Sequence, residues 1–262
     1  MAGLGYRRDM ADWDMTTVQA DFFEVVPENW IHRNRDPLYR LLESGRPVQL
    51  HGVSLNLGGE APVNIQFLQQ VRELIDDLGC EYYSDHLAAS GDAHQLYDLF
   101  PVPFTAAEVA RVSDRILRAQ DILGRRIAIE NPTWYTNIGD MPEPDFLAAV
   151  AERADCQILL DLNNIAVNYK NHRQHDLAEF LTRIDLARVT YLHVAGHEFD
   201  ARFGLYLDTH SRPVESATRQ WAQRLHELHG LPVLLEWDHD LPDINALNQE
   251  LTCLHSMTMC AA

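Results

Sequence analysis

The length, composition and charge of the chain argue against several classes of protein. With 262 residues, 46% of them hydrophobic, it can bury a large core, and this length is typical of one (β/α)8 barrel. It contains no run of about 18 apolar residues and its N-terminus lacks the apolar core of a signal peptide, so we expect a cytoplasmic protein without a membrane partner. The formal net charge of −18 argues against a nucleic-acid partner, because such a protein needs positive charge to displace counterions from phosphates.

Short apolar runs alternate with longer amphipathic runs along the chain. This order is typical of βα units that build a parallel sheet. The short runs are almost continuously apolar, as expected for strands that are covered on both faces. The predicted strands are Gly3–Arg7, Asp21–Val26, Val48–Leu55, Tyr82–Ala88, Arg126–Asn131, Gln157–Asn164, Val189–Gly196 and Val233–Trp237.

The longer runs carry the signals of helices and of their ends. An apolar stripe with a 3.6-residue period predicts a helix over 65–78, which Gly79 ends. Thr105 and Glu108 have the spacing of a capping box for a second helix. This second helix is predicted to run from Thr105 to about Leu123, and further helices from Pro144 to Val150 and from Val214 to His229.

Eight βα units in this order predict a closed (β/α)8 TIM barrel in a single domain. We expect the barrel over about residues 3–242, followed by a C-terminal helix or tail over 243–262. A doubly wound open sheet is the alternative, but no GxGxxG motif follows the first strand.

Side chains that can bind metal ions follow most of the predicted strands. Because the C-terminal ends of all barrel strands meet at one mouth, these side chains are expected to form a cluster. Several buried carboxylates cannot stay ionised together unless cations neutralise them, so the pattern predicts a metal site. Oxygen and imidazole ligands suit iron, manganese, zinc or cobalt, and they do not select among these metals. The residues are His51, Asp85, His86, Glu130, Asn131, Asp161, Asn163, Asn164, His193, His197, Asp208, His210, Glu236 and Asp238.

Each of these residues also has a purely structural interpretation. A histidine at a strand end, such as His86, is often only a hydrogen-bonded structural residue. Asp161 could orient a histidine from behind, and Asn131 or Asn164 could simply hold a loop. Glu130 and Glu236 are the strongest candidates for metal ligands. Each is a charged residue in an otherwise apolar run, IAIE for Glu130 and VLLEW for Glu236, where a purely structural carboxylate is uncommon.

Ten motifs in a fixed order identify a family resemblance. They are GLGYR, FFEVVPENW, LHGVSLNLG, SDHLA, PVPFT, IENPTWY, LLDLNNIAVN, LHVAGH, DTHSRPV and LLEWD. The string closely resembles the multinuclear non-haem iron-dependent oxidative enzymes, from Gly3 to about Pro242. The resemblance implies a xylose-isomerase-like TIM barrel with two or three iron ions, in mixed Fe(II) and Fe(III) states, at its mouth. The implied metal ligands are His51, His86, Glu130, Asn163, His193, Asp208, His210 and Glu236, with Asp161 as a further ligand or a group that supports one.

The resemblance also implies a reaction and partners. Members of the family use dioxygen to oxidise cysteine, or another residue, of a ribosomally made precursor peptide in natural-product biosynthesis. The catalytic residues implied here are His51, His86, Glu130, Asp161 and Glu236. A separate peptide-recognition protein is expected to deliver the peptide, and the stretch between His197 and Asp208 is long enough to form a lip over the site.

Two other functions are compatible with the same residues. A divalent-metal-dependent hydrolase or sugar isomerase would use a His/Asp/Glu site on the same barrel. A metal-binding protein without catalysis would keep the ligands but offer no open coordination position.

Overall fold

Eight parallel strands close into a barrel. The computed structural model describes residues 1–92, 99–136 and 138–255. Each barrel strand pairs with the strands before and after it in the chain, and the first pairs with the last. This order confirms the predicted TIM barrel and excludes the open doubly wound sheet. The strands are β1 Ala2–Gly5, β2 Phe23–Val25, β3 Val48–Gly52, β4 Tyr83–His86, β5 Ala128–Glu130, β6 Gln157–Asp161, β7 Val189–Val194 and β8 Val233–Leu235.

In the described part of the chain, α-helices follow seven of the eight barrel strands, 3-10 turns follow β1, and two short antiparallel hairpins lie in the loops. The helices are α1 Asp36–Glu43, α2 Ile65–Leu78, α3 Ala106–Leu123, α4 Glu143–Arg153, α5 Leu162–His172, α6 Leu177–Leu181, α7 Ser216–His229 and α8 Ile244–His255. Single 3-10 turns span Arg8–Met10, Met15–Thr17, Pro27–Asn29 and Leu186–Arg188. The hairpins pair Ala88–Ala89 with Phe100–Pro101 and Glu198–Asp200 with Leu205–Leu207.

The strands are mostly shorter than predicted. The predicted strand Gln157–Asn164 stops at Asp161, whose carboxylate accepts a hydrogen bond of 2.6 Å from the backbone N–H of Asn164 and so caps α5. Asn163 and Asn164 therefore lie in the first turn of a helix and not in a strand. The predicted strand from Val48 stops at Gly52.

The predicted helix ends are present, with one difference. Gly79 follows α2 with a φ of 67°, a left-handed conformation that favours glycine. The Thr105 side chain accepts a hydrogen bond from the backbone N–H of Glu108, as predicted. The Glu108 carboxylate does not return to Thr105, however; it pairs with Arg111, and the Thr105 N–H donates to the Pro103 carbonyl. Only half of the predicted capping box forms.

An apolar layer inside the barrel supports a polar layer above it. Side chains alternate along a strand, so residues two positions apart share a face and lie roughly 7 Å apart. The apolar layer consists of Phe22, Ala128, Leu159, Tyr191 and Leu234. Two positions further along each strand stand Glu24, Glu130, Asp161, His193 and Glu236, all buried. The strand period thus delivers five polar side chains to one level, at the C-terminal end of the barrel.

Two further expectations concern the outside of the barrel. No helix in the described part of the chain is long and apolar enough to cross a membrane. The predicted C-terminal helix is α8, and residues 256–262 of the predicted tail lie outside the described residues.

Candidate metal centre

The first group of possible metal ligands comes from three neighbouring strands. The Nε2 atoms of His51 on β3 and His86 on β4 lie 2.9 Å and 3.1 Å from the same carboxylate oxygen, Oε2 of Glu130 on β5. The strand register explains this meeting, because His86 is paired directly with Glu130 across β4 and β5. Two imidazoles and one carboxylate here could hold one metal ion.

The second group shares Glu130 and continues around the barrel. His193 Nδ1 on β7 lies 3.7 Å from Glu130 Oε1 and 3.1 Å from Oε2 of Glu236, which follows β8. Asp161 at the end of β6 is paired with His193 and completes the group, whose ligand atoms all lie within 4.8 Å of one another. The two oxygens of Glu130 therefore face two different groups, so this carboxylate could bridge two ions.

A third pair of possible ligands lies beside the second group. His210 Nε2 is 2.8 Å from Asp208 Oδ1, and His210 Nδ1 is 3.5 Å from Glu236 Oε2. The side-chain amide of Asn163, in the first turn of α5, donates to the same Asp208 oxygen at 2.6 Å. Every residue that the sequence predicts as a ligand is thus brought to one mouth.

Three histidines of the centre, His51, His86 and His193, are held through the nitrogen that faces away from the ligand cluster. His86 Nδ1 contacts the Gly52 carbonyl at 3.1 Å, and His51 Nδ1 contacts the Ser84 hydroxyl at 2.9 Å. His193 is reversed: its Nε2 contacts Glu24 at 2.9 Å, and its Nδ1 points into the cluster. Metal-binding histidines in proteins are usually oriented in this way by a second partner.

Crowding of the carboxylates creates a need for positive charge. Burial raises the pKa of Asp161 well above its usual range, and the nearby carboxylates of Glu130 and Asp208 add to this effect. Burial also acts to raise the pKa of Glu130, but His86 and His51 outweigh it and hold that pKa well below its usual range. A cation among these groups would let Asp161 ionise as well.

Several buried atoms that face the cluster make no hydrogen bond of good geometry to any described residue, although some of them lie about 3 Å from one another. They are His51 Nε2, Glu130 Oε2, Asp161 Oδ2, His193 Nδ1 and His210 Nε2. Leaving buried polar atoms unpaired is costly, so their convergence fits a bound metal ion. The residues present therefore suit the nitrogen and oxygen ligand set that the sequence predicted.

Two residues of the centre were missed by the sequence analysis. Glu24 on β2 accepts hydrogen bonds from the Tyr191 hydroxyl and from His193. Arg7, just after β1, contacts Glu236 Oε1 at 3.0 Å and also pairs with Asp238. A carboxylate inside the apolar run FFEVV was the signal for Glu24, the same signal that identified Glu130.

Other polar residues at the strand ends hold the backbone. Asp85 accepts hydrogen bonds from the Leu55 N–H and the Tyr83 hydroxyl. The Asn131 amide bonds to both the N–H and the carbonyl of Asp161. The Asn164 amide donates to the Asn131 carbonyl at 3.0 Å. These contacts agree with the structural interpretation of Asn131 and Asn164.

A cavity of about 600 Å³ opens over the centre and is lined by both polar and apolar side chains. The polar lining includes His86, Glu130, Asn164, Asp208 and His210, and the apolar lining includes Leu99, Pro132, Phe203, Leu205 and Leu207. Much of the apolar lining belongs to the hairpin of Glu198–Asp200 and Leu205–Leu207. Asn171 on α5 fixes this hairpin through two hydrogen bonds with the Tyr206 backbone. The stretch predicted to form a lip therefore does border the site.

Solved structures share the barrel at low sequence identity. Endonuclease IV from Thermus thermophilus is 18% identical, with a TM-score of 0.64 over 97% of this chain and 98% of that chain. A xylose isomerase domain containing protein from Salmonella typhimurium is 13% identical, with a TM-score of 0.63 over 96% of this chain and 94% of that chain. At such identities the likeness shows the xylose-isomerase-like barrel alone.

Sequence relatives are closer. A UPF0276 protein of Acinetobacter baylyi is 40% identical over 261 residues, which cover 97% of this chain and 90% of the relative. The family described as RiPP precursor modification enzyme MbnB/TglH/ChrH matches residues 1–259. With its ten ordered motifs and its clustered histidines and carboxylates, the chain belongs to the MbnB/TglH/ChrH family of RiPP precursor modification enzymes.

Proposed function

We propose that the chain is an iron-dependent oxidase that uses dioxygen to modify a cysteine, or another residue, of a ribosomally synthesised precursor peptide. The supporting observation is the position of Glu130. Its two oxygens face two different sets of histidine and carboxylate atoms, in a chain that belongs to a family of peptide-modifying enzymes. A site with adjacent metal positions suits oxidation chemistry that needs more than one electron.

The ligand groups divide into three positions. One ion would be held by His51, His86 and Glu130, and a second by Glu130, Asp161, His193 and Glu236. A third would be held by Asp208, His210 and Asn163. Iron in two oxidation states supplies one-electron transfer and dioxygen reduction when it is bound.

The protein itself contributes orientation, charge and exclusion of water. Glu24 fixes the ring of His193 so that Nδ1 faces Glu236. Arg7 occupies one oxygen of Glu236 and leaves the other directed at His193. The apolar side chains that line the cavity would reduce the access of water to the reacting side chain once a peptide fills it.

The size of the cavity determines how a peptide substrate would bind. A volume of about 600 Å³ accepts a short peptide segment and excludes a folded domain. The remainder of a precursor peptide would therefore lie on the outer surface, where we propose that a separate recognition protein holds it.

The experiment is metal analysis and oxygen uptake with protein purified without oxygen. We expect two or three iron ions per chain and oxygen consumption that depends on a cysteine-containing precursor peptide. His193→Ala and Glu236→Ala should lower the iron content and abolish oxygen uptake, because both remove groups facing the second position. Glu152→Ala, at an exposed position on α4, is the control and should change neither. Protein that contains only zinc and does not take up ferrous iron would refute the proposal.

The alternative is a divalent-metal-dependent hydrolase or sugar isomerase, which the shared barrel alone supports. Oxygen dependence separates the two functions. Turnover of an aldose in the absence of oxygen would favour the isomerase.

A further inference from the structure

The chain contains a single lysine, and it lies beside the candidate centre. Of the 21 lysine and arginine residues, all but Lys170 are arginine. Lys170, in the last turn of α5, places its Nζ atom 2.7 Å from Nε2 of His197 and 2.6 Å from Oε1 of Glu215. The His197 side chain is almost fully buried.

The contact between Lys170 and His197 fixes the position of the histidine proton. An ammonium group has three donors and no lone pair, so His197 Nε2 must accept the hydrogen bond. His197 is therefore neutral and carries its proton on Nδ1. That atom lies 2.7 Å from the side-chain oxygen of Asn163, to which it donates. Because the protonated Nδ1 of His197 needs an acceptor, the oxygen of the Asn163 amide must face His197, and its NH2 group cannot take that place.

The orientation of the Asn163 amide decides what the third position offers a cation. With its oxygen toward His197, the amide directs its NH2 group at Asp208 Oδ1, 2.6 Å away. An NH2 group does not bind a cation, so Asp208 and His210 then lack a third ligand. The Asn163 oxygen can face them only if the amide turns over. His197 must then carry its proton on Nε2, where the Lys170 ammonium now lies.

We propose that Lys170, acting through His197, sets the orientation of the Asn163 amide and so weakens cation binding at the Asp208–His210 pair relative to the other two positions. This inference rests on the metal centre of the proposed function. Lys170 is a positioning residue, because it acts only through His197 and Asn163.

The residues around His197 also allow the arrangement in which Nε2 carries the proton and the Asn163 oxygen faces Asp208. Oε2 of Glu215 lies 3.8 Å from His197 Nε2, so it can accept the proton of Nε2 once Lys170 has moved away. A cavity of about 480 Å³ between α5, α6 and α7 is lined by Lys170 and Glu215 and gives the ammonium group room to move. The two arrangements differ in the tautomer of His197 and in which end of the Asn163 amide faces Asp208.

The first test measures metal binding without substrate. Anaerobic equilibrium dialysis with Co(II) or Fe(II), followed by elemental analysis, should show two tighter binding steps and one weaker step in the wild-type protein. Lys170→Met should tighten the weakest step by roughly tenfold or more, because a hydrogen bond from a charged donor no longer opposes the amide turn. Lys170→Arg keeps a cation without a lone pair and should bind like the wild type. Equal affinity of Lys170→Met and Lys170→Arg for the last ion would overturn the proposal.

The second test needs neither metal nor peptide. Nitrogen-15 NMR of the metal-free protein reports which ring nitrogen of His197 carries the proton, and the His197→Gln variant identifies the signal. We expect the proton on Nδ1 in the wild type and a shift toward Nε2 in Lys170→Met. A proton on Nε2 in the wild type refutes the inference about Lys170, whereas a protein that binds no iron refutes the proposed function.

Discussion

Glu143 at the start of α4 makes the stability of the protein depend on pH. This residue is only 6% exposed, and its carboxylate accepts hydrogen bonds from Trp134 Nε1 at 2.8 Å and from the Asn168 amide at 3.2 Å. Both donors are neutral. Burial raises the pKa of Glu143 from 4.5 to about 7, and the two hydrogen bonds offset only part of the effect. The folded protein therefore favours the protonated acid.

The direction of the pH effect follows from this raised pKa. Below pH 4.5 the Glu143 carboxyl group is protonated in both the folded and the unfolded protein, and its contribution to the free energy of unfolding is fully present. This contribution is lost as the pH rises to about 7, because the unfolded chain ionises first. The difference between the two pKa values corresponds to at most about 3 kcal/mol of unfolding free energy. Glu143→Gln stays neutral at every pH and retains an oxygen that can accept from Trp134 Nε1, so it should not lose this contribution.

Urea unfolding of metal-free protein between pH 4.5 and 8 tests the prediction. The free energy of unfolding of Glu143→Gln, minus that of the wild type, should increase by up to about 3 kcal/mol between pH 4.5 and 7 and then stay constant. Taking the difference removes the titration of groups common to both proteins. Glu152→Gln, at an exposed position on the same helix, should follow the wild type. A difference that does not change with pH would show that Glu143 is charged in the folded protein.

Three further substitutions test the site and its lip. Glu24→Gln removes the charge that holds Nε2 of His193 and should weaken metal binding roughly 10- to 100-fold in a metal titration, with little change in circular dichroism. Gly196→Ala would place a Cβ 1.9 Å from the Arg212 carbonyl oxygen, so the unfolding free energy should fall by roughly 1–3 kcal/mol; unchanged stability would mean that this loop yields freely. Phe203→Ala, at a residue that is 66% exposed on the lip, should raise the KM for the peptide without lowering the thermal midpoint, and an unchanged KM would exclude Phe203 from peptide binding.

The sequence predicted the parts of the centre that depend on local pattern. Glu130 and His193 stand at the ends of apolar runs, and the barrel brings strand ends together whatever the sequence distance. Asn163 was assigned to a strand, although the Asp161 carboxylate caps a helix there; the same LDLNN segment is compatible with both. The sequence could therefore predict that these ligands meet at the barrel mouth, but not whether a strand or a helix carries each of them.

The supporting partners could not be predicted, because they depend on pairing across the barrel. Glu24 and His193 are 169 residues apart in the chain, and no local pattern connects them. Arg7 and Glu236 are 229 residues apart and meet because β1 and β8 close the ring. Such pairs become visible only when the strand register is known.

Barrel packing and hydrogen bonds outside the ligand cluster together position the candidate ligands. The apolar layer that includes Leu159 and Leu234 fixes the height of the strands, so the polar residues two positions later meet at one level. Hydrogen bonds outside the cluster, such as that from His193 to Glu24, then orient the rings. Burial and the neighbouring carboxylates raise the pKa of Asp161, so a negative charge on this residue is unfavourable in the folded barrel. A cation that binds beside Asp161 must displace the proton of this carboxyl group, so its affinity should increase as the pH rises.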